Sequence, residues 1–451
     1  MKRRATVLKK LELCGFFLLT TGLLISLLVQ FHQLYGSMAN RKNRQDAAGE
    51  QRIAAQALLT PSTIYITKEA GTEGRYVSLT SEEADFKSLN EAGFAALQVC
   101  LTRGEGRWMD TAAFDWNGEA CVFSYDFALT ADILAAVPGS RTEAGLTGRE
   151  LWIFPTATMR VPLRAALVDW PNQRMWVWTC PESEAEVNQP LRTTLQRLLK
   201  KYSQGWLALK RSYEDCFSQN AFVSVNAQSM LLVRERVSPA IVSRRGELLP
   251  GRSRTYSASI LGYPDTMICL QDTGQKIVYS NEEGTLTLWN SGRIRYTEAR
   301  REETTDEPAI AADFVTARSF LTKRVSGNLP TGLELRLTGY RHEEDGFTFF
   351  FSYYYQSLPV QAEAILEEAG MKTAAEVYVA NGAIRSCTVL PLEITGREET
   401  HEILSVNWLA QLNRSWEKND RQPPALCFSV QDGIGRIQWQ SQPENTEGDE
   451  S

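Results

Sequence analysis

One long apolar segment near the start of the chain sets the strongest limit on its fold. Residues 13–31 read LCGFFLLTTGLLISLLVQF, and no Lys, Arg, Asp or Glu lies between Leu13 and Asn40. A helix rises about 1.5 Å per residue, so about 20 apolar residues cross the hydrocarbon core of a bilayer. The segment therefore predicts a transmembrane helix over residues 13–31, preceded by a cytoplasmic tail, residues 1–12.

Basic residues flank this segment unequally and predict its orientation. Five Lys or Arg residues precede it, and three follow it before residue 45. The more basic flank stays in the cytoplasm, so we expect a single-pass cell-membrane protein with a cytoplasmic N-terminus and an extracytoplasmic bulk. A cleaved signal peptide is the alternative, because Ser37-Met38-Ala39 has the small residues that signal peptidase prefers. The apolar stretch, however, exceeds the roughly 7–15 residues of such a peptide.

Charge beyond the predicted span argues against nucleic acid as a partner. Residues 45–451 contain 40 Lys or Arg and 53 Asp or Glu, a net charge of −13. A surface of that sign repels phosphate backbones. We therefore predict a membrane protein with no nucleic-acid partner.

Cysteines and histidines give no metal or redox motif. Seven cysteines follow the predicted span and Cys14 lies at its start, with no CxxC pair. Buried thiols and one or two structural disulfides both remain open. The three histidines, His32, His342 and His401, are too few for an imidazole-rich metal site, and we predict no metal and no cofactor.

The first extracytoplasmic part, residues 58–221, follows a juxtamembrane linker, residues 32–57. Thr80-Ser-Glu-Glu83 has capping-box spacing ahead of apolar residues at helical intervals and predicts a helix start. Pro190 is predicted to open a second helix. Trp176 and Trp178 share one strand face, which favours core packing or a partner surface over a sugar platform. Predicted strands here are Leu151–Pro155, Ala165–Trp170 and Met175–Thr179.

The central part, residues 222–304, is rich in strand signals. Thr285–Trp289 and Arg293–Tyr296 flank a turn at residues 290–292 and predict a hairpin. Leu286 and Leu288 are expected to share one face of it, because side chains alternate along a strand.

The C-terminal part, residues 305–441, is predicted to mix helices and strands, with an acidic disordered tail at residues 442–451. Asn381-Gly382 is the strongest hairpin signal in the chain. It predicts a turn between the strands Glu376–Ala380 and Ala383–Val389. Other predicted strands are Leu333–Tyr340, Phe347–Tyr355 and Cys427–Gln438, and predicted helices are Ala312–Leu321, Ala362–Ala369 and Glu402–Arg414.

These patterns together predict an α+β fold class. We expect one N-terminal transmembrane helix, followed by a multi-domain extracytoplasmic region of antiparallel sheets with packed helices.

Three short motifs resemble catalytic or ligand sites, but each is better explained as ordinary structural sequence. Ser415-Trp-Glu-Lys418 matches the SxxK of penicillin-recognising enzymes, but its Lys-Thr-Gly and Ser-Asp-Asn partners are missing. Residues 246–253 have the glycine spacing of a phosphate loop, yet Arg252 replaces the required lysine and Pro250 removes a backbone N–H. His342-Glu-Glu-Asp345 concentrates carboxylates beside an imidazole, but consecutive turn residues diverge. We therefore predict no catalytic residues.

Small residues form a stripe on the predicted membrane helix. Gly15, Gly22 and Ser26 lie at spacings of seven and four, and Gly22-x-x-x-Ser26 is a small-xxx-small pair. Such a stripe lets a second helix approach closely in lipid. It is our candidate contact with a partner helix, although glycine is also simply common in membrane helices.

Three motifs follow one another in the central part: Tyr263-Pro-Asp265-Thr, Tyr279-Ser-Asn-Glu-Glu-Gly284-Thr-Leu-Thr-Leu288 and Gly292-Arg-Ile-Arg-Tyr296. This run resembles the YycH family, accessory proteins of Gram-positive bacteria. In the C-terminal part, three further motifs are similar to the final domain shared by YycH and its relative YycI. They are Ala317-Arg-Ser-Phe-Leu321, Gly346-Phe-Thr-Phe-Phe350 and Leu358-Pro359-Val360.

The positions that match the family's motifs are expected to be structural. They are Asp265, Tyr279, Gly284, Leu288, Gly292, Tyr296, Pro359 and Val360. The chain departs from the family in its seven exported cysteines. It also has Ser357-Leu-Pro-Val360 where the family has glycine-tyrosine-proline-valine.

The resemblance implies a non-enzymatic regulator of the WalK–WalR (also YycG–YycF) two-component system, which governs cell-wall homeostasis. Its implied partner is the membrane sensor histidine kinase, with a YycI-like protein as a second candidate. The sign of regulation stays open. Two other functions are kept as alternatives: an anchored cell-wall serine enzyme of the penicillin-binding type, using Ser415 and Lys418, and a receptor for a wall fragment.

Overall fold

The computed structural model describes most of the chain beyond residue 48. The described residues are 49–68, 70, 75–155, 162–180, 185–202, 207–209, 222–223, 231–242, 247–262, 267–299, 309–325, 333–402 and 424–441. The chain divides into two compact units, residues 1–53 and residues 54–451. All strands given below lie in the second unit.

The first sheet has nine strands in the order β3-β7-β6-β5-β4-β1-β2-β8-β9, and every pair is antiparallel. Its strands are β1 Thr63–Thr67, β2 Arg75–Thr80, β3 Glu105–Asp110, β4 Ala120–Thr130, β5 Thr147–Phe154, β6 Arg164–Asp169, β7 Arg174–Thr179, β8 Leu207–Leu209 and β9 Phe222–Val223. The helices of this part are α1 at residues 49–58, α2 Ala84–Arg103, α3 Ala131–Ala135 and α4 Ala185–Lys201, with a 3-10 turn at Thr111–Ala113.

Both faces of the first sheet are buried, because apolar residues occupy successive positions of its central strands. In β5, Leu151 and Ile153 face a layer that includes α2 and α4, while Trp152 and Phe154 face an aromatic cluster on the opposite side. Trp178 is buried in the helix-covered core and Trp176 packs against it, so the core explanation of this pair is confirmed.

The second sheet runs in the order β11-β12-β13-β14-β19-β18-β16-β17-β21-β22-β10-β20. Strand β15 pairs with β16 on the side opposite β18. Its strands up to β16 are β10 Leu231–Pro239, β11 Ile268–Asp272, β12 Lys276–Ser280, β13 Gly284–Trp289, β14 Ile294–Glu298, β15 Leu333–His342 and β16 Gly346–Tyr355. The later strands are β17 Leu358–Gln361, β18 Ala375–Ala380, β19 Ala383–Val389, β20 Leu392–Glu402, β21 Pro424–Gln431 and β22 Ile434–Ser441. The helices are α5 Pro250–Leu261, α6 Ile310–Phe320 and α7 Glu363–Glu368, with a π-helical turn at Leu321–Val325 directly after α6.

The expected mixture of helices and antiparallel sheets is confirmed. One described pair, β17 with β21, is parallel. The hairpin at Asn381-Gly382 forms as predicted, with positive φ angles of 53° and 74° at the two turn residues. The pair β14–β19 makes one sheet of strands from the predicted central and C-terminal parts. The division at residue 304 stays a prediction.

Three predicted element bounds are wrong. Helix α4 begins at Ala185, so Pro190 lies inside it rather than at its start. The predicted strand Cys427–Gln438 is two strands, β21 and β22, because Asp432-Gly433 turns the chain with positive φ angles of 52° and 70°. Glu402 ends strand β20 instead of opening a helix.

Several predictions fall on residues outside the described ranges. They are the membrane span 13–31 with Gly15, Gly22 and Ser26, the remainder of the helix 402–414, the motif residue Asp265 and the tail 442–451. Within the ranges that the structure describes, no helix combines the length and the apolar character that crossing a bilayer requires.

Candidate partner-binding surface

The motif residues of the central part assemble in a three-stranded meander, β12–β13–β14. Tyr279 pairs with Leu286, and Leu286 pairs with Tyr296, so the three side chains share one face. Leu286 is fully buried, and the Tyr296 ring lies 5.4 Å from the Phe320 ring of α6. Leu288 is also fully buried on this face. The meander is therefore a wall of the core that faces α5 and α6.

Gly284 allows the turn between β12 and β13 to close against β14. A Cβ atom at this position would lie 2.5 Å from the carbonyl oxygen of Thr297 and 2.7 Å from the Tyr296 ring. In the same turn, Asn281 Oδ1 accepts backbone N–H groups of Glu283 and Gly284 at 3.0 and 3.1 Å. No larger residue fits at position 284 without moving β14.

Gly292 is fixed by both its backbone angle and its surroundings. Its φ is +90°, a region that side chains disfavour, and its Cβ would lie 2.4 Å from Pro239 Cβ. The turn thus brings the tip of β13–β14 against the end of β10.

Arg324 ties the meander to two helical elements and was missed by the sequence analysis. Its Nη1 donates to the carbonyl oxygen of Ile260 at 3.0 Å and to Glu283 Oε2 at 3.1 Å. The carbonyl of Arg324 accepts from the Ser259 hydroxyl at 3.0 Å. The partners lie 41 to 65 positions away along the chain, so sequence spacing gave no signal for this cluster.

Pro359 and Val360 lie in the short strand β17, apart from the meander. Pro359 pairs with Tyr354 of β16, and Val360 pairs with Phe428 in the parallel ladder to β21. Both residues are half-buried. Their role is to connect two segments of the second sheet.

Strand β11 forms the outer edge of the meander and carries the most exposed apolar side chains of the described strands. Ile268 is 58% exposed and Leu270 is 59% exposed. Among the described strands β11 pairs with β12 alone, and the ladder shifts register between Cys269 and Gln271. We call residues 268–270 the β11 edge.

The β11 edge has the properties of a docking strand. An edge strand presents backbone N–H and C=O groups to a further strand, and proteins usually protect such edges with charge or proline. Residues 268–270 are Ile, Cys and Leu, with neither charge nor proline. Because no described strand besides β12 pairs with β11, the apolar side chains of Ile268 and Leu270 offer a surface to another extended segment.

Strand β3, at the edge of the first sheet, also carries an exposed apolar side chain, but its neighbours cover part of it. Trp108 of β3 is 39% exposed. The Arg174 guanidinium lies 4.8 Å from its ring centroid, and the Trp176 ring lies 5.3 Å away, edge to face. These contacts use the faces of the ring and leave less apolar area for a partner than at the β11 edge.

The residues 342–345 form a solvated turn whose side chains have separate partners. His342 stacks on Phe347, with ring centroids 4.8 Å apart, and Glu343 accepts from Arg341 Nε at 2.7 Å. The Tyr378 hydroxyl donates to Asp345. The side chains diverge, as the sequence analysis expected of a hairpin turn.

Arg252 of the phosphate-loop-like segment is bound within the protein. Its Nη1 donates to the carbonyl oxygen of Ala240 at 2.9 Å and to Glu393 Oε2 at 2.7 Å. Pro250 lies in the first turn of α5. The segment joins a helix start to the second sheet. Ser415 and Lys418 lie outside the described residues.

Three acids, one buried and two half-buried, have raised pKa values and protein partners. Burial raises the pKa of Glu150 to about 7, although the indole N–H groups of Trp170 and Trp152 donate to its Oε2 at 2.7 and 3.0 Å. Burial raises the pKa of Asp313 to about 6, and its Oδ1 accepts the Gly382 N–H at 3.0 Å.

The third acid, Asp126, joins the two sheets. Burial raises its pKa, and a hydrogen bond from the Tyr354 hydroxyl of β16 opposes that shift. Raised carboxyl pKa values are typical of catalytic acids. Here, however, each acid fixes one structural element to another.

The groove beside α7 is open and polar. Its cavity volume is about 380 Å³. Its lining includes Gln361, Glu363, Ser429, Gln431 and Asp432. A large aromatic-lined cleft would support the alternative of a receptor for a wall fragment, and the described lining of this groove contains no aromatic residue.

Comparisons with known proteins give one structural similarity. No family model matches the chain, and no curated protein matches it. Among solved structures, it is similar to the crystal structure of YycH from Bacillus subtilis, with a TM-score of 0.49 and 10% sequence identity. The alignment covers 85% of this chain and 94% of that chain. At this identity no residue's role is transferable between the two.

Proposed function

We propose that this chain is a membrane-anchored, extracytoplasmic regulatory protein of the YycH type. It modulates a cell-wall-related two-component sensor kinase by protein contact, without making or breaking covalent bonds. The observation that carries the proposal is the meander, in which the described central motif residues lie together. The exposed β11 edge lies beside this meander, paired with β12. A motif run that builds a wall of the core beside an apolar edge, which only β12 pairs among the described strands, favours docking over chemistry.

The β11 edge is the proposed contact with the extracytoplasmic part of the kinase. An extended segment of the kinase adds a strand there through backbone hydrogen bonds, and Ile268 and Leu270 supply apolar contact. Contact regulates the kinase when the complex favours one kinase conformation over the other. A YycI-like protein is the second proposed partner.

The proposed membrane anchor, residues 13–31, supplies a second contact. Gly22 and Ser26 would lie on one stripe of that helix, where small side chains let the kinase's membrane helix approach. The extracytoplasmic contact and the membrane contact act together, because a second contact between two anchored proteins is effectively intramolecular.

Co-purification of the kinase with the full-length chain tests the docking surface. The double variant Ile268→Lys/Leu270→Lys places two charges on the β11 edge and should reduce kinase recovery at least tenfold. Val315→Lys is the matched control, since Val315 is an exposed apolar residue on α6, 38% exposed, outside the β11 edge. Equal recovery with both variants would remove the β11 edge from the mechanism.

A separate variant tests the proposed membrane contact by the same co-purification. Gly22→Ile adds a large side chain to the stripe and should weaken co-purification, while Leu24→Ile, two positions along the predicted helix, should leave it unchanged. Unchanged pairing in Gly22→Ile would exclude the stripe.

A fluorescent β-lactam discriminates docking from the penicillin-binding alternative. We expect no covalent adduct with the full-length protein. An adduct that disappears in Ser415→Ala would replace the regulator by an enzyme.

A further inference from the structure

Two cysteines that are far apart in sequence meet in the core of the first sheet. Cys100 lies in the last turn of α2, and Cys180 directly follows β7. Their Sγ atoms are 2.7 Å apart, although 80 positions separate them. Sulfur is a large atom, so two thiols that merely touch keep a longer separation, whereas a disulfide places the atoms at about 2.05 Å. The two side chains already point at each other at nearly bonding distance.

We propose that Cys100 and Cys180 form a structural disulfide that fastens the C-terminal end of α2 to the end of β7. The proposal rests on the extracytoplasmic location in the proposed function, because a structural disulfide needs an oxidising compartment, but it does not depend on the kinase.

The surroundings hold both sulfur atoms in place. Cys100 is fully buried and Cys180 is 1% exposed, both in the apolar core under the first sheet. The carbonyl of Cys100 accepts the Gly104 N–H at 3.0 Å, and the Cys180 N–H donates to the carbonyl oxygen of Leu163 at 2.9 Å. These hydrogen bonds hold the backbone of both residues, and the buried surroundings leave little space for the sulfur atoms to rotate apart.

Other cysteines of the described residues have different surroundings. Cys427 Sγ donates to Gln361 Oε1 at 3.3 Å. Cys121 is fully buried like Cys100, but no sulfur atom contacts it among the described residues. Burial alone therefore does not bring cysteines of this chain together, and Cys121 is a matched control.

The bond forms by exchange with an external disulfide, the active-site disulfide of a thiol oxidoreductase. One cysteine thiolate attacks that disulfide, which gives a mixed disulfide and releases one oxidant thiolate. The second cysteine, as a thiolate, attacks the protein sulfur of the mixed disulfide, which closes the Cys100–Cys180 bond and releases the second oxidant thiolate. Two protons leave the cysteines, and two electrons reduce the oxidant to its dithiol.

Exchange must precede complete packing of α2. In the folded protein the Cys180 thiol and burial raise the pKa of Cys100, which suppresses the attacking thiolate. The same burial protects the finished bond from reductants. The loop that the bond closes contains β3, β4, β5, β6 and β7. The bond therefore reduces the number of conformations that these residues can adopt in the unfolded chain.

Peptide mapping of the full-length protein tests the bond directly. Cells are quenched with acid, free thiols are alkylated, and the membrane fraction is digested with trypsin without reduction. Cys100 is the only cysteine of the tryptic peptide 88–103, and Cys180 is the only cysteine of the peptide 175–192. We expect these two peptides joined, with the mass of their sum less two hydrogen atoms, and separated after reduction. Full alkylation of both peptides without reductant, or a link from either to another cysteine, would overturn the proposal.

Urea unfolding with and without reductant supplies an independent test. Reductant should lower the unfolding midpoint of the wild-type protein and of Cys121→Ala, but not that of Cys100→Ala/Cys180→Ala. If reductant lowers the midpoint of the double variant by as much as that of the wild type, the Cys100–Cys180 bond is excluded. Neither test involves the kinase, so failure here leaves the docking proposal standing.

Discussion

At the scale of single residues, the two meander glycines are required for different physical reasons. Gly284 has an ordinary φ but no room for a Cβ, because the Thr297 carbonyl and the Tyr296 ring occupy that space. Gly292 combines a positive φ with close contact to Pro239. The motif therefore records the packing of three strands and gives no evidence of chemistry at these positions.

Gly284→Ala should destabilise the protein by about 1–3 kcal/mol, because the added methyl group must displace backbone atoms of β14. Gly251→Ala is the control. Gly251 lies in α5 with no atom within 4 Å of its Cβ position, so alanine there should be neutral or stabilising by up to about 1 kcal/mol. Urea unfolding followed by tryptophan fluorescence measures both. Equal stability of the two variants would contradict the packing argument.

The half-buried Glu150 makes stability depend on pH. Burial raises its folded-state pKa to about 7 from an ordinary 4.5, so between these values the folded protein binds a proton that the unfolded chain has lost. Stability should consequently fall as pH rises through this window. Glu150→Gln keeps an oxygen for both indole N–H donors and removes the ionisation. It should therefore be about 2 kcal/mol more stable than the wild type above pH 7.

The control for this prediction is Glu143→Gln, which changes an exposed acid. Thermal melts of the three proteins from pH 4 to pH 8 give the comparison. Parallel pH profiles for wild type and Glu150→Gln would show that Glu150 ionises in the folded protein as it does in the unfolded chain.

Residue identities alone identified the apolar motif positions but missed the polar clusters. Leu286 and Leu288 were predicted to share a face because strand alternation is local. Arg324 and Glu150 were missed because their partners are set by tertiary packing. Arg324 contacts residues 41 and 64 positions away, and Glu150 contacts Trp170 of a neighbouring loop.

At the scale of elements, turn chemistry decided which hairpins were predictable. Asn381-Gly382 was recognised, and the hairpin formed. Asp432-Gly433 has the same chemistry, yet the predicted strand Cys427–Gln438 runs through it, whereas the structure turns the chain there. Pro190 predicts a helix start, yet α4 extends five residues further toward the N-terminus.

A cluster around Asp85 connects the start of α2 to the end of α4. Its carboxylate accepts from Lys201 Nζ at 2.5 Å, from Arg197 Nη1 at 3.1 Å and from the Tyr202 hydroxyl at 3.1 Å. The hydrogen bond from Lys201 is the main cause that lowers the pKa of Asp85. The negative charge also lies in the first turn of α2, where the helix dipole favours it.

Asp85→Asn should lower the melting temperature at pH 7. A lowered folded-state pKa contributes stability above the unfolded value, and that contribution is lost as pH falls through the folded value. The difference between wild type and variant should therefore vanish in acid. Glu91→Gln, an exposed acid on the same helix, should match the wild type at every pH. A deficit of Asp85→Asn that persists unchanged into strong acid would show that the charge is not its cause.

At the scale of the whole molecule, long-range strand pairs join what the sequence suggested as separate parts. Strand β14 pairs with β19, and β15 packs against β4 of the first sheet. At that packing the hydroxyls of Thr130 and Tyr340 form a hydrogen bond, and Arg336 donates to the Ser81 hydroxyl at 3.1 Å. The sequence predicted the α+β class and the strands β14, β15 and β19, but not β4. It did not predict these pairings, because register between distant strands has no local signal.

The Thr130–Tyr340 hydrogen bond offers a measure of coupling between the sheets. Tyr340→Phe should cost about 1 kcal/mol of unfolding free energy. In a double-mutant cycle with Thr130→Val, the coupling energy should be about 0.5–1 kcal/mol. Additive effects of the two substitutions would mean that the hydroxyls do not stabilise each other in solution.

Site-specific photo-crosslinking in living cells tests the central claim that the molecule works by docking through the β11 edge. A photoreactive amino acid is placed at position 268, or at the control position 315 on α6. We predict a covalent adduct with a sensor histidine kinase at position 268 and none at position 315. A crosslink to the kinase that forms only from position 315, or from neither position, would contradict docking at the β11 edge.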